Sequence, residues 1–178
     1  MPTILTHPAP ILALGAGLGT GVIPPRLLAA GVVCALLPDL DVLAFRLGID
    51  YADLFGHRGL SHSLVFALGV GFLGFLVAPL LRARRTTAFW ICFLAVAAHI
   101  ALDAMTSGGL GVAALWPFSG ERYFFPWRPI RVSPFNPMEF LSARGLAILK
   151  SELLWVWLPC AVMALFLRIG LMAGQRSR

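Results

Sequence analysis

Charged residues are scarce in this 178-residue sequence, because Asp, Glu, Lys and Arg together make up only 12% of it. Soluble proteins typically carry about 25% charged residues. The hydrophobic fraction reaches 59%, and the mean hydropathy is +0.86. This composition excludes an ordinary water-soluble protein and indicates a membrane protein. The chain has no spare length for a second folded domain, so we expect one domain over residues 1–178.

Cysteine is also rare, with three residues in the chain. Cys34, Cys92 and Cys160 are far apart and each lies in an apolar stretch, which favours packing inside helices over a disulfide or a thiolate metal site. The net charge is +6, but the basic residues form no stripe interleaved with aromatic residues, so we expect no nucleic acid partner. Anionic lipid headgroups or a phosphate-bearing substrate fit this charge better.

Five apolar stretches organise the chain. Crossing the roughly 30 Å hydrocarbon core takes about 20 helical residues, and Leu64 to Leu81, Ala88 to Leu102 and Leu153 to Ala173 approach that length. Ile11 to Ile23 and Leu27 to Leu37 are shorter, and a Pro-Pro-Arg break separates them. That break favours two antiparallel segments, either short spans or re-entrant pieces. We therefore predict an all-α fold, a polytopic membrane helix bundle of about five segments.

A long polar region, residues 106–150, follows the fourth segment. Its content of Trp, Phe, Tyr and Arg is typical of chain that lies at the depth of the lipid headgroups. We predict that it forms an interfacial cap. Within it, Arg122, Arg128 and Arg131 could hold an anionic headgroup of a substrate, although extension of each side chain towards bulk lipid phosphate is a simpler interpretation.

Histidine and aspartate collect at one end of the predicted bundle. If the five segments run alternately up and down, all four histidines and three of the five aspartates fall at one membrane face. The opposite face receives Arg26, Arg82 to Arg85 and the tail QRSR, with no histidine and no carboxylate. The residues expected to meet are His7, Asp39, Asp41, His57, His62, His99 and Asp103.

A shared divalent ion would explain why these histidine and aspartate residues lie at the same membrane face. Each aspartate inside a membrane helix costs roughly 2.5–3.5 kcal/mol, and neighbouring carboxylates repel each other. His99 and Asp103 are four residues apart and share one helix face, either as two ligands or as a hydrogen-bonded pair. Asp39 and Asp41 could also end one helix and cap the next. Imidazoles and carboxylates suit zinc or another borderline metal, and these residues are numerous enough for one or two ions.

Four motifs in the order LPDLDVL, HRGLSHSL, HIALDAMTSGG and WPFSGERY resemble the YdjM-type family of membrane-bound metal-dependent hydrolases. The resemblance covers about Thr6 to Pro134 and implies a bacterial-type inner membrane protein. The metal ligands that it implies are Asp39, His57, His62, His99 and Asp103, with His7 and Asp41 as additions. The family is distantly similar to zinc-dependent phospholipase C and related nucleases, which cleave phosphodiesters with clustered metals bound by His and Asp.

The function predicted on this basis is hydrolysis of a lipid or lipid-linked substrate, with a phosphoester as the expected bond. A coordinated metal lowers the pKa of its bound water towards about 7. Asp41 is the expected general base, because it lies beside a predicted ligand without being needed as one. Arg58 is expected to receive the charge that develops on a phosphoryl oxygen.

Three other interpretations stay open. Ser61 or Ser63 could attack as a nucleophile, but the sequence has no GxSxG motif and both serines are suited to capping the next helix. Intramembrane histidine and aspartate also build ion pathways, although no polar residues here continue through the middle of the membrane. The third alternative is a scaffold whose cap binds a protein partner and whose metal is structural.

The orientation in the membrane follows from one short basic loop. The RARR cluster at Arg82 to Arg85 is expected in the cytoplasm by the positive-inside rule. The predicted metal site then faces the periplasm.

Overall fold

The computed structural model describes residues 1–133 and 137–176. The helices are α1 (Ala9–Leu18), α2 (Pro25–Leu36), α3 (Leu64–Val77), α4 (Arg85–Ala104), α5 (Ala143–Glu152) and α6 (Leu158–Arg176). Within the two described ranges there is no strand, only two isolated β-bridges. The predicted all-α membrane helix bundle is confirmed. Residues 134–136 of the predicted cap and the last two residues of the tail lie outside the described residues.

Three helical segments of the described chain are long and apolar enough to cross a membrane, namely Pro25–Leu47, Arg85–Ala104 and Ala143–Gln175. The first joins α2 to a 3-10 helix, Leu37–Leu47, and the last joins α5 to α6 through a π-helical turn, Leu153–Trp157. The other two apolar helices, α1 and α3, are shorter. The helical segment formed by the second apolar stretch is therefore much longer than predicted, because the helix continues past the LPDLD motif.

The helix formed by the third apolar stretch is shorter than predicted. Helix α3 ends at Val77, before the predicted limit of Leu81. Pro79 has no backbone N–H to continue the helical hydrogen bonds, and Arg82 in the following turn has a left-handed backbone with φ of 54°. A bend at this point separates α3 from α4 and leaves the basic loop at the end of the bundle away from the histidines.

The last part of residues 106–150, the predicted cap, is helical. Helix α5 begins at Ala143, where the hydroxyl of Ser142 accepts a hydrogen bond from the backbone N–H of Gly145. A serine at this position satisfies a free N–H group of the first turn. The C-terminal helix therefore starts in the polar region that precedes the apolar stretch and continues into the membrane segment without a break.

Helix α4 lies at the centre of the bundle and packs against α2 and α3. Gly74 allows α3 to approach it closely, because a Cβ atom at Gly74 would lie 2.7 Å from the sulfur of Cys92 and 2.9 Å from the carbonyl oxygen of Ala88. Small residues at helix contacts let backbones pack in a membrane. All three cysteines lie in helices and none forms a disulfide, as the sequence predicts.

Four parts of the chain meet at one end of this bundle. They are residues 1–8, the 3-10 helix Leu37–Leu47, the loop over residues 48–63 and the C-terminal turn of α4. The region after α4 folds over the same end, where Thr106 forms a bridge with Ile130. The polar residues of the sequence motifs are thereby brought from distant positions to a single site.

Candidate metal centre

Four buried side chains converge at this end of the bundle: Asp39, His62, His99 and Asp103. Nε2 of His99 lies 3.1 Å from Nε2 of His62 and 3.5 Å from Oδ1 of Asp39. Nε2 of His62 lies 3.2 Å from Oδ2 of Asp103. We call these four residues the ligand cluster, because each offers one ligand atom and these atoms lie within 4.8 Å of one another.

His7 lies beside the ligand cluster. Its Nε2 is 3.5 Å from Oδ2 of Asp39 and 3.8 Å from Oδ1 of Asp103, and its ring stacks on that of His99 with 3.7 Å between centroids. Neither nitrogen of His7 has a hydrogen-bond partner among the described residues. Burial and the neighbouring His99 lower the pKa of His7 to about 3, so the ring is neutral and can offer a lone pair to a metal.

The two closest imidazoles present lone pairs to each other. Nδ1 of His99 lies 2.7 Å from the carbonyl oxygen of Ala35, which can only accept, so this nitrogen carries the proton. Nδ1 of His62 lies 3.1 Å from Oδ2 of Asp41 and carries its proton for the same reason. In the neutral rings, both Nε2 atoms are therefore acceptors. A cation between them removes the repulsion, and a metal-bound histidine typically donates its other N–H to a carbonyl or a carboxylate in this way.

The carboxylates of the ligand cluster lack hydrogen-bond donors. Among the described residues, none donates a well-formed hydrogen bond to either oxygen of Asp39 or of Asp103. A buried charged oxygen without a partner is costly. Asp103 does form an ion pair with Arg58, whose Nε lies 2.9 Å from Oδ2. Both oxygens of Asp39 and Oδ1 of Asp103 are left without a hydrogen-bond donor among the described residues, which fits a divalent ion as their partner.

Three of the separations between ligand atoms are close to the spacing around a tetrahedral metal ion. Two ligand atoms about 2.0–2.1 Å from a tetrahedral zinc ion are roughly 3.3–3.4 Å apart. Three of the six separations among the atoms of Asp39, His62, His99 and Asp103 are 3.1, 3.2 and 3.5 Å, close to that value, and all six lie within 4.8 Å. The cluster fits a divalent ion in size and in ligand chemistry. Because its atoms are all nitrogen and oxygen, zinc or another borderline metal is suited to it.

The environment of His62 favours a positive charge. Burial lowers the pKa of this imidazole, but its contacts with Asp103 and Asp41 outweigh burial and raise the pKa to about 9. Without a metal, a proton is therefore drawn to His62 at neutral pH. A divalent ion would supply the same compensation with more charge.

Asp41 is not part of the ligand cluster, and its carboxylate contacts the rings of two histidines. Its Oδ1 lies 2.6 Å from Nδ1 of His57, and its Oδ2 accepts hydrogen bonds from the hydroxyl of Ser61 at 2.6 Å and the backbone N–H of Arg58 at 3.0 Å. His62 contacts the same Oδ2. Asp41, His57 and His62 are also close enough to one another to share an ion. The structure thus brings together all seven histidine and aspartate residues singled out in the sequence.

Arg58 is completely buried and its backbone is left-handed, with φ of 66°. Besides the ion pair with Asp103, its Nη1 donates to the carbonyl oxygen of Gly108 and its Nη2 to the hydroxyl of Thr106, each at 3.0 Å. Gly109 makes room for this guanidinium, because a Cβ there would lie 2.7 Å from Nη1 of Arg58. All three nitrogens of the guanidinium therefore face groups of the protein.

The three cap arginines lie apart from the ligand cluster. Arg122 donates hydrogen bonds of 2.9–3.1 Å to the backbone carbonyls of His57, Tyr51 and Asp53, so it holds the loop that carries His57. Arg128 stacks on Phe124 at 4.6 Å. Arg128 and Arg131 line an open cavity of about 450 Å³, together with Ser107 and Arg144.

Sequence reasoning missed several supporting residues. Thr106 binds Arg58, and the carbonyl of Ala35 orients His99. Glu152 is buried and accepts hydrogen bonds from Thr3 and Thr6. A glutamate at the start of an apolar stretch is a signal that could have identified Glu152, whereas a backbone carbonyl leaves no trace in the sequence.

The fold and this centre define a polytopic membrane protein with a buried imidazole and carboxylate site suited to a divalent ion. The model of the family described as YdjM inner membrane protein matches residues 1–177. The chain belongs to this family of inner membrane proteins. It is also 48% identical over 160 residues to Inner membrane protein YbcI of Escherichia coli (strain K12), which covers 89% of this chain and 92% of that relative. No solved structure is significantly similar. The family resemblance of the four sequence motifs is thus confirmed.

Proposed function

We propose that this protein is a membrane-bound metal-dependent hydrolase that acts on a lipid or lipid-linked substrate, with a phosphoester as the bond cleaved. The observation that carries the proposal is the ligand cluster, in which Nε2 of His62 and Nε2 of His99 lie 3.1 Å apart and the buried carboxylates of Asp39 and Asp103 accept no well-formed hydrogen bond from the described residues. Such a site is costly unless a cation occupies it. Zinc is the metal best suited to this set of ligands.

The residues proposed to hold the ion are the ligand cluster and His7. When bound, a divalent ion would supply a Lewis acid and an activated water. The outer partners Asp41 and Ala35 would keep His62 and His99 in the orientation that binding needs.

Proton transfer is assigned to His57 rather than to Asp41. The sequence favours Asp41 as general base, but its oxygens already contact His57, Ser61, His62 and the backbone of Arg58. Asp41 is better suited to positioning. His57 lies 2.6 Å from Asp41 through Nδ1, and a carboxylate that orients an imidazole in this way is a common arrangement for a general base.

A lipid substrate is supported by the surroundings of the centre. A cavity of about 240 Å³ adjoins Asp41 and Ser61 and is otherwise lined by apolar residues, among them Leu40 and Phe55. Leu40 and Phe55 are also exposed, as is Phe118 in the cap. Exposed apolar and aromatic side chains at one end of a membrane protein suit the headgroup region. We propose that the hydrocarbon part of the substrate enters along this surface.

The anionic part of the substrate is assigned to the cavity lined by Arg128, Arg131 and Arg144. Arginine binds phosphate through two parallel hydrogen bonds. Arg122 is less suited to this role, because its donors are bonded to backbone carbonyls. We further propose that the centre faces the periplasm, since the basic loop at Arg82 to Arg85 is the better cytoplasmic signal.

The hydrolase proposal is tested with purified protein in nanodiscs. Phosphatidylglycerol in the nanodisc and bis(p-nitrophenyl) phosphate in solution serve as a lipid and a soluble phosphodiester. We expect phosphate ester cleavage that a chelator abolishes and zinc restores, and that is lost in His99→Ala. Arg84→Gln, in the basic loop, is the matched control and should leave the rate unchanged. Failure to cleave either substrate by a protein that retains its metal would contradict the proposal.

Burial of the centre favours one other function. His7, His62, His99 and Asp103 have no exposed surface, and Asp39 is 6% exposed, whereas a catalytic metal keeps one position open. In a scaffold with a structural ion, chelation would lower the thermal stability of the protein without any hydrolysis to lose. The nanodisc experiment therefore separates the two functions.

A further inference from the structure

The buried charges of the centre do not cancel. Asp39, Asp41 and Asp103 are three carboxylates, and the guanidinium of Arg58 forms an ion pair with Asp103. Metal binding requires neutral imidazoles, and with neutral imidazoles two negative charges remain. The amino group of Met1 lies 3.8 Å from Asp103 but burial lowers its pKa, and Glu152 is bonded to Thr3 and Thr6, so neither is counted as a fixed charge of the centre. One divalent cation would neutralise the centre, whereas two would leave an excess of positive charge in a buried site.

Arg58 lies where a second cation would be expected. In two-metal sites the ions are about 3.5–4 Å apart and share carboxylates. Here Oδ2 of Asp103 lies 3.2 Å from Nε2 of His62 on one side and 2.9 Å from Nε of Arg58 on the other. The guanidinium is fixed by Thr106 and Gly108 and has no exposed surface. A permanent positive charge therefore lies beside the carboxylate that a second ion would need.

The other group of potential ligands is already saturated. Asp41, His57 and His62 are close enough to share an ion, but Asp41 accepts from Ser61 and from the backbone of Arg58, and contacts Nδ1 of both histidines. A metal there would have to displace these donors. It would also break the contact between Nδ1 of His62 and Asp41, which orients this ring towards the ligand cluster.

We propose that the centre binds one divalent ion per chain and that Arg58 supplies the positive charge which a second ion would otherwise bring. This inference rests on the metal site of the proposed function and deepens it, because it fixes the number of ions. Arg58 is a positioning residue, since its guanidinium contacts Asp103, Thr106 and Gly108. Its test needs no catalytic turnover.

The first measurement counts zinc in the full-length protein in detergent. The protein is loaded with excess zinc and desalted, and its metal content is then measured against quantitative amino acid analysis. We expect one zinc per chain, and an X-ray absorption spectrum with nitrogen and oxygen neighbours but no zinc–zinc distance of about 3.5–4 Å. Two ions per chain, or that distance in the spectrum, would overturn the proposal.

The second measurement addresses Arg58 directly. Arg58→Gln removes the charge, and we expect its zinc content to rise from one towards two per chain. Arg58→Lys keeps the charge and should stay at one. An Arg58→Gln protein that folds and holds one zinc would show that Arg58 does not substitute for an ion.

A second variant covers the case in which Arg58→Gln fails to fold. Gly109→Ala would push on the guanidinium, because the new Cβ would lie 2.7 Å from Nη1 and the backbone φ is 90°. We expect a zinc content above one, while Gly120→Ala, in the same cap and with no atom within 4 Å of the new Cβ, should stay at one. An unchanged content in Gly109→Ala would also overturn the role of Arg58. Absence of hydrolysis in a one-zinc protein would defeat only the hydrolase proposal, and two zinc ions in an active protein would defeat only this inference.

Discussion

Glu152 and Asp103 are both buried carboxylates near the same end of the protein, but only Glu152 is surrounded by hydrogen-bond donors. Its oxygens accept from the backbone N–H and hydroxyl of Thr3 at 2.5 and 2.7 Å, and from the hydroxyl of Thr6 at 2.8 Å. Neither oxygen of Asp103 or of Asp39 accepts a well-formed hydrogen bond within residues 1–133 and 137–176. The two sites have similar burial but different partners.

The difference between the two sites indicates which carboxylates are structural and which need a cation as a partner. Hydroxyl and amide donors are sufficient to keep a buried carboxylate in place, and the N-terminal residues supply them to Glu152. At Asp39 and Asp103 the close neighbours are imidazole nitrogens of His62 and His99, together with the guanidinium of Arg58 at Asp103. A metal ion is the partner that would satisfy both kinds of group together. The following predictions test this contrast.

Loss of a ligand should have the largest effect. In His62→Ala or Asp103→Ala, we expect zinc affinity to fall by more than the roughly 10–100-fold that loss of an outer partner costs. Metal analysis after dialysis against a zinc buffer measures this. Glu152→Gln, the matched change in the hydrogen-bonded carboxylate, should retain the full zinc content. Full and equal occupancy in all three variants would defeat the ligand assignment.

Removal of the metal should destabilise the protein. Binding to the folded state alone adds about 2.7 kcal/mol when the free ion is at 100 times its Kd, so a chelator should lower the thermal midpoint of the wild type. Asp103→Ala should show no such response, because it has no ion to lose. Thermal unfolding in detergent with and without the chelator gives both values. A wild type that does not respond would contradict the account.

The partners that orient the histidines should have an intermediate effect. Asp41→Asn weakens the acceptor for Nδ1 of His57 and His62, and we expect zinc affinity to fall about 10–100-fold. The control is Ser63→Ala. Ser63 caps α3 by accepting from Phe66, so its loss should cost about 1 kcal/mol of stability with no change in affinity. Equal zinc affinities in the wild type and Asp41→Asn would argue against the orienting role.

Glu152→Gln should have the smallest effect on the metal and a moderate effect on stability. Replacing the charged acceptor of the Thr3 and Thr6 donors should lower the free energy of unfolding by about 1–3 kcal/mol. Chemical denaturation measures this loss. If Glu152→Gln also released zinc, the two carboxylate sites would be coupled and the contrast between them would fail.

The helical class and the meeting of the histidines could be predicted because both follow from order along the chain. Apolar stretches of near-membrane length alternate with polar breaks, so residues at successive breaks return to the same face. The residues at which the helices begin and end were harder to predict from the sequence. The helix after Pro25 continues through Pro38 as a 3-10 helix to Leu47, because proline is tolerated in the first turn of a helix. That continuation brings Asp39 and Asp41 to the site on the helix itself and not on a turn.

The division of roles within the site could not be predicted. Asp39 and Asp41 are two residues apart in similar surroundings, yet only Asp39 belongs to the ligand cluster while Asp41 contacts His57 and Ser61. Arg58 is likewise a predicted substrate residue whose donors face Asp103 and the backbone instead. These roles depend on the direction of each side chain in a 3-10 helix and a left-handed turn. Sequence spacing alone does not contain that information.

The most direct test of the metal site is an anomalous diffraction map recorded at the zinc absorption edge from crystals of the zinc-loaded protein. We expect a peak among Nε2 of His62, Nε2 of His99 and the carboxylates of Asp39 and Asp103, about 2.0–2.2 Å from the bound atoms. A map with no peak there, and with these side chains in the positions described above, would contradict this expectation.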